Sequence, residues 1–138
     1  MSIEPSNSPL PDGKPYTIHV KAFPVLQLIS VSMKGSINSE ACHELIQKLT
    51  TNLTKVAPGF AYLNDMTLVD DMDFDTYQLH IEVMEIIREK GVKNVARVFG
   101  DSKKDIGFNL ASEFHYDKSV NTGQYSTITE ALDALFPS

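Results

Sequence analysis

The sequence predicts an α/β domain built on a single mixed, mostly parallel sheet of about five strands with helices packed on it. Apolar residues alternate at period two in short runs such as 16–22, and recur at three- and four-residue steps in longer runs such as 40–56. The two kinds of run then follow one another in the order β-β-α-β-α-β-α-β-α. Strand–helix–strand alternation calls for parallel crossovers, and the short gap between the first two strands calls for an antiparallel hairpin. A chain of 138 residues suits one domain.

Residues 1–15 carry Pro5, Pro9, Pro11 and Pro15 among Ser, Asn, Asp and Gly. Proline removes backbone donors and this stretch offers little to bury, so it is expected to be a flexible arm ahead of a single domain at 16–138. In residues 16–22, Thr17, His19 and Lys21 alternate with Ile18, Val20 and Ala22, and Pro24 marks a turn. Residues 25–33 make a second strand, which Gly35 is expected to end. Asn38 or Ser39 caps a helix over 40–56, with Ala41, Cys42, Leu45, Ile46, Leu49, Leu53 and Val56 on its apolar face. Glu44 and Lys48 form an i,i+4 pair on its wet face, and Pro58-Gly59 stops it. A strand follows at 60–68. Asp75 is expected to cap a helix over 76–90, with Gln78 in the capping-box position and Gly91 closing it. Next come a strand at 94–99, a short helix at 103–112, a loop at 117–123 and a short strand around Tyr125. Thr127 and Glu130 make a capping box before a final helix ending near Phe136.

Composition narrows the function. The formal charge of −6 argues against nucleic acid as the main partner. No apolar run is long enough for a membrane span. The first fourteen residues have neither a basic start nor an apolar core, so they do not read as a secretion signal, and a cytoplasmic protein is expected. One cysteine, Cys42, leaves no disulfide scaffold and no multi-cysteine zinc site. No glycine-rich phosphate loop and no G-x-S-x-G occurs, and nothing calls for a cofactor.

The strand, acidic stretch and helix from Phe60 to Lys90, the strand at 94–99, and the ending TITEALDAL at Thr127–Leu135 form a pattern with the opening hairpin. With Gly107-Phe108 and Glu130-Ala131-Leu132, that pattern resembles the STAS-like domains related to anti-sigma-factor antagonists. It is similar in particular to the bacterial subgroup with features of Sec14-type lipid-binding domains, over about residues 16–136. The resemblance implies a non-catalytic regulatory or protein-interaction module. Its alternative is a binding module for a small apolar or lipid-like ligand. In signalling members a serine or threonine before the helix after the third strand accepts a phosphate. Here that region reads LVDDMDFDTYQL, and Thr76 is the hydroxyl left in the first turn, as a phosphosite candidate that the surrounding aspartates disfavour.

The stretch from Asp65 to Glu85 holds seven acidic residues and no lysine or arginine. Asp65, Asp70, Asp71, Asp73 and Asp75 are expected to form an acidic loop, a site for a basic partner or simply a solvated surface. Asp71, Asp73, Asp75 and Glu82 fall at positions one, three, five and twelve of an EF-hand loop, yet the position that needs glycine is Thr76. The helical pattern from Tyr77 also runs through the second half of that loop, so the aspartates read as complements of a helix N-terminus and no metal site is expected. Arg88, Lys90, Lys93, Arg97, Lys103 and Lys104 form a basic cluster, expected to divide between two edges of the sheet. His19, His43, His80 and His115 show no metal-ligand spacing. A small hydrolase would need His19 or His115 gathered with Ser, Asp or Glu in one cleft.

The helix at 76–90 is apolar over an arc of roughly 220°, more than one sheet face needs. Leu79, Val83, Ile86 and Ile87 are expected to face the core. Tyr77, Ile81 and Met84 lie at one margin, with His80 inside the arc and Arg88 at its edge. Either the helix is central in its layer, flanked by the first and last helices, or Tyr77, His80, Ile81, Met84 and Arg88 are the candidate surface for a protein partner, a second copy in a homodimer, or a small apolar ligand.

Overall fold

The structure is a computed structural model and describes residues 13–73, 76–99 and 120–137. Its elements are β1 (Tyr16–Phe23), β2 (Leu28–Ile37), α1 (Ser39–Leu53), β3 (Ala61–Met72), α2 (Tyr77–Lys90), β4 (Asn94–Val98), β5 (Asn121–Tyr125) and α3 (Ile128–Leu135). Residues 1–12 of the expected 1–15 arm, the expected helix at 103–112, and Gly107, Phe108, Lys103, Lys104, His115 and Asp75 lie outside the described residues.

The five strands form one sheet in the order β1-β2-β3-β4-β5. β1 and β2 are antiparallel, and every other pairing is parallel. The predicted fold class is therefore what the chain adopts. All parallel strands begin at one end of the sheet, where Leu28, Ala61, Asn94 and Asn121 stand in register.

Pleating sorts side chains to two faces. One face carries Ile18, Ile29, Val31, Met33, Tyr62, Met66 and Val95, covered by Ala41, Cys42, Leu45 and Leu49 of α1 and Val83, Met84 and Ile87 of α2. The other carries Leu28, Ala61, Leu63, Ala96 and Val98, with Ala131, Leu132 and Leu135 of α3 against them. Asn38 caps α1 through Oδ1, which accepts from the Ala41 amide at 2.9 Å. Thr127 caps α3 likewise, its Oγ1 accepting from the Glu130 amide at 3.1 Å. The Glu44–Lys48 pair forms at 3.1 Å, and Lys48 also donates to the Ile18 carbonyl of β1 at 2.7 Å, tying α1 to the edge strand.

Three expectations about element boundaries are corrected. β2 starts at Leu28 rather than Val25, because residues 24–27 are spent on the turn, and it runs through Gly35 to Ile37. Gly35 sits at φ +89, beside register shifts against β3, so the glycine accommodates an irregular strand without ending it. The expected loop at 117–123 gives way at Asn121, where β5 pairs with β4.

Candidate functional site

β3 outlasts its neighbour. Its pairing with β4 stops at Asp65–Val98, whereas its pairing with β2 continues to Met72–Ile37. The extension is possible because β3 carries extra residues relative to β2, between Asp65 and Leu68 and again between Val69 and Asp71. Such bulges re-aim side chains. Val69 and Met72 still pack on the helix-covered core, while Thr67, Leu68, Asp70 and Asp71 are exposed. The expected acidic loop is thus largely strand: Asp65, Asp70 and Asp71 belong to β3, and Asp73 follows it. Asp65 is occupied locally, its Oδ1 accepting from the Thr67 amide at 3.0 Å and the Thr67 hydroxyl at 2.6 Å.

Asp73 joins this extension to α2. Its amide donates to the Ile37 carbonyl, and its own carbonyl accepts from the Thr76 amide at 3.0 Å and the Thr76 hydroxyl at 2.6 Å. Thr76 holds the N-cap position in helical conformation and makes no side-chain cap. It is 1 % exposed. A hydroxyl buried and committed to a carbonyl is poorly placed to accept a phosphate.

The candidate surface on α2 is divided by packing. Tyr77 is 40 % exposed and Met84 only 2 %. Ile81 is half-buried and Arg88 exposed. Met84, expected at an open margin, and His80 both lie inside, while Leu79 and Ile86, expected in the core, are half-buried. The reason is that α2 packs against α1 as well as the sheet, which rotates its buried centre toward His80 and Met84.

Beneath α2 lies a group of buried polar side chains that the sequence does not announce. Asn64 of β3 and Arg97 of β4 are register neighbours and both are buried, which takes Arg97 out of the basic cluster expected at the edges of the sheet. His80 of α2 and Cys42 of α1 complete it, with Cys42 Sγ 3.8 Å from His80 Nε2. Burial and the Arg97 charge push the imidazole down to about 4. Burial, with the Asp73 charge adding to it, pushes the thiol up to about 11. The pair is therefore thiol and neutral imidazole near pH 7, the opposite of an activated nucleophile.

On the other face, the register places His19, Ser32 and Asp65 side by side on β1, β2 and β3. Ser32 stands between the other two, so the imidazole cannot bridge carboxylate and hydroxyl as a relay requires. The trio lies on a sheet surface, and Asp65 is already engaged by Thr67. Among the described residues no group of three or more metal-ligating side chains gathers, and no helix is long and apolar enough to cross a membrane.

No protein-family model matches the sequence, and no curated protein does. The fold, in contrast, has clear counterparts among solved structures. An uncharacterised protein of the DUF3478 family with a SpoIIAA-like fold, from Shewanella loihica, superposes with a TM-score of 0.63 at 17 % identity, over 87 % of this chain and 93 % of that one. The anti-sigma factor antagonist SpoIIAA in its unphosphorylated form gives 0.60 at 14 % identity, over 86 % and 96 % of the two chains. An anti-sigma factor antagonist from Mycobacterium paratuberculosis gives 0.59 at 18 % identity, over 87 % and 93 %. The chain therefore has the SpoIIAA-like, STAS-type fold that its element pattern resembles. At these identities the likeness describes architecture.

Proposed function

We propose that this chain is a non-catalytic regulatory module that works by binding a protein at the acidic end of its sheet. The observation that carries this reading is the overrun of β3. It carries exposed Asp70 and Asp71, with exposed Asp73 just after them, to the end of the sheet that also holds Leu68 of β3 and Tyr77 at the start of α2, which are 37 % and 40 % exposed. Exposed carboxylates with exposed apolar side chains at the same end suit a partner that brings basic groups, and Lys34, the register partner of Leu68, is the β2 cation at this end. Solved structures of this fold include antagonists of anti-sigma factors, and the inert ionisation of Cys42 and His80 fits a module that performs no chemistry.

Capture from the cell of origin with the wild-type chain and with an Asp70→Lys/Asp71→Lys/Tyr77→Ser variant tests the reading. A protein held by the wild type and lost by the equally stable variant is expected. Identical captures overturn it. A second copy is one such partner, through Tyr77, Ile81 and Arg88 along α2. Sedimentation then gives a dimer that Ile81→Asp weakens while the fold survives. Native mass measurement of the same sample distinguishes the alternative, a small apolar or lipid-like ligand, by an added mass on the monomer.

A further inference from the structure

We propose that the opposite end of the sheet, built around the β1–β2 turn, docks the protein on an anionic lipid bilayer surface. The turn is Pro24-Val25-Leu26-Gln27, and Val25 is 98 % exposed and Leu26 52 %. These are the most exposed large apolar residues among those described. They are not on a floppy loop. Gln27 adopts the left-handed region at φ 52, which costs a non-glycine residue energy, and its own side chain offsets that cost. Its Nε2 donates to the Pro24 carbonyl at 2.7 Å, and its Oε1 accepts from the Ala57 amide at 2.7 Å. Its carbonyl accepts from the Ala61 amide at 2.9 Å. The turn is thereby pinned to the α1–β3 connection with Val25 and Leu26 held outward.

That connection is tied in turn to the α2–β4 connection. The Gly59 amide donates to the Gly91 carbonyl at 2.7 Å, and the Lys93 amide to the Phe60 carbonyl at 2.9 Å. The three segments make one end surface, and its exposed cations are Lys55, Lys93 and, at the end of β1, Lys21, with half-buried Lys90 on the last turn of α2. Glu89 and Asp133 are the acids of this end among the described residues. The carboxylates Asp70, Asp71 and Asp73 lie at the far end. A molecule of net charge −6 thus carries more lysines than acids at one end, and Asp70, Asp71 and Asp73 against Lys34 at the other, so the field of an anionic surface would orient it lysines-first.

The shape of the tip favours a bilayer over an acidic protein. A protein partner needs about 800 Å² of complementary surface on each side. Two apolar residues on a convex, rigid turn offer little area to a folded surface, but enter an interfacial layer without needing a matching pocket. The proposal is independent of the protein-partner reading, which concerns the other end of the sheet.

Co-sedimentation of the full chain with vesicles tests it, using phosphatidylcholine alone and phosphatidylcholine mixed with phosphatidylserine. Binding is expected to the mixed vesicles, at least tenfold weaker to the neutral ones, and lost toward 1 M salt, where the Debye length falls to about 3 Å. Lys55→Glu and Lys93→Glu should each weaken it by about fivefold or more. Val25→Asp/Leu26→Asp should abolish it with an unchanged melting temperature, since both positions are exposed. No binding to the mixed vesicles, equal binding to both kinds, or binding indifferent to the lysine and tip substitutions overturns the proposal. Binding of poly-glutamate without binding of anionic vesicles also overturns it, and puts an acidic protein in place of the bilayer.

Discussion

Cys42 Sγ and His80 Nε2 lie 3.8 Å apart across the contact between α1 and α2, joining residues 38 positions apart in the chain. Each is driven to its neutral form by the core around it, the imidazole further by Arg97 and the thiol further by Asp73. The pair looks like a nucleophile and its base, yet neither is in the ionisation state that such chemistry requires.

Acid should weaken this fold through His80. Its folded pKa of about 4 lies below the ordinary 6.5, so the unfolded chain takes up the proton first. The stabilisation is complete above pH 6.5 and is lost as pH falls from there to about 4, on the order of 3 kcal/mol in all. Melting temperature against pH is expected to slope down across that window. In His80→Leu the slope should be shallower. An identical profile in the two proteins would show that His80 titrates normally.

Cys42 should be slow to label. A thiol pKa of about 11 against the ordinary 9.0 leaves roughly a hundredfold less thiolate near neutral pH. Complete burial adds a requirement for local opening. Reaction with an aromatic disulfide reagent is expected to be at least a hundredfold slower in native buffer than in denaturant. Equal rates would contradict the packing of α1 on α2 described above.

Thr76 should resist phosphorylation. Its hydroxyl is buried and donates to the Asp73 carbonyl at 2.6 Å. Phosphate would break that bond and bring about −1.5 to −2 charges beside the neighbouring aspartates, which the helix N-terminus offsets only in part. Thr76→Val is expected to cost about 1 kcal/mol, read as a small drop in melting temperature. Stoichiometric phospho-Thr76 by mass spectrometry would overturn the assignment.

A side chain at Gly91 should be destabilising. It closes α2 at φ +100, and a Cβ there would lie 2.8 Å from Pro58 Cβ and 3.1 Å from Pro58 Cα. Both the backbone conformation and a rigid neighbour oppose substitution. Gly91→Ala is expected to cost about 2 kcal/mol by denaturant titration. A neutral outcome would mean that the α1–β3 connection is free to move away from α2.

Local patterning determined most of the architecture. Alternation at period two marked Tyr16–Ala22, and three- and four-residue steps marked Ala41–Leu53. The polar caps Asn38 and Thr127 announced their helices because each satisfies donors within its own first turn. These signals depend on neighbours a few residues away, so they are legible in one dimension, and the α/β order with an antiparallel opening hairpin follows from them. What depended on distant residues was not legible. Only packing against α1 decided that Met84 and His80 face inward. Only the bulged register with β2 turned the expected acidic loop into strand, and only the parallel pairing of β3 with β4 buried Arg97 beside Asn64. The exposed tip at Val25 and Leu26 reads in the sequence as the start of the second strand for the same reason. A run of apolar residues does not say where the turn falls, and here the side chain of Gln27, bonded to Ala57 thirty residues away, decides it.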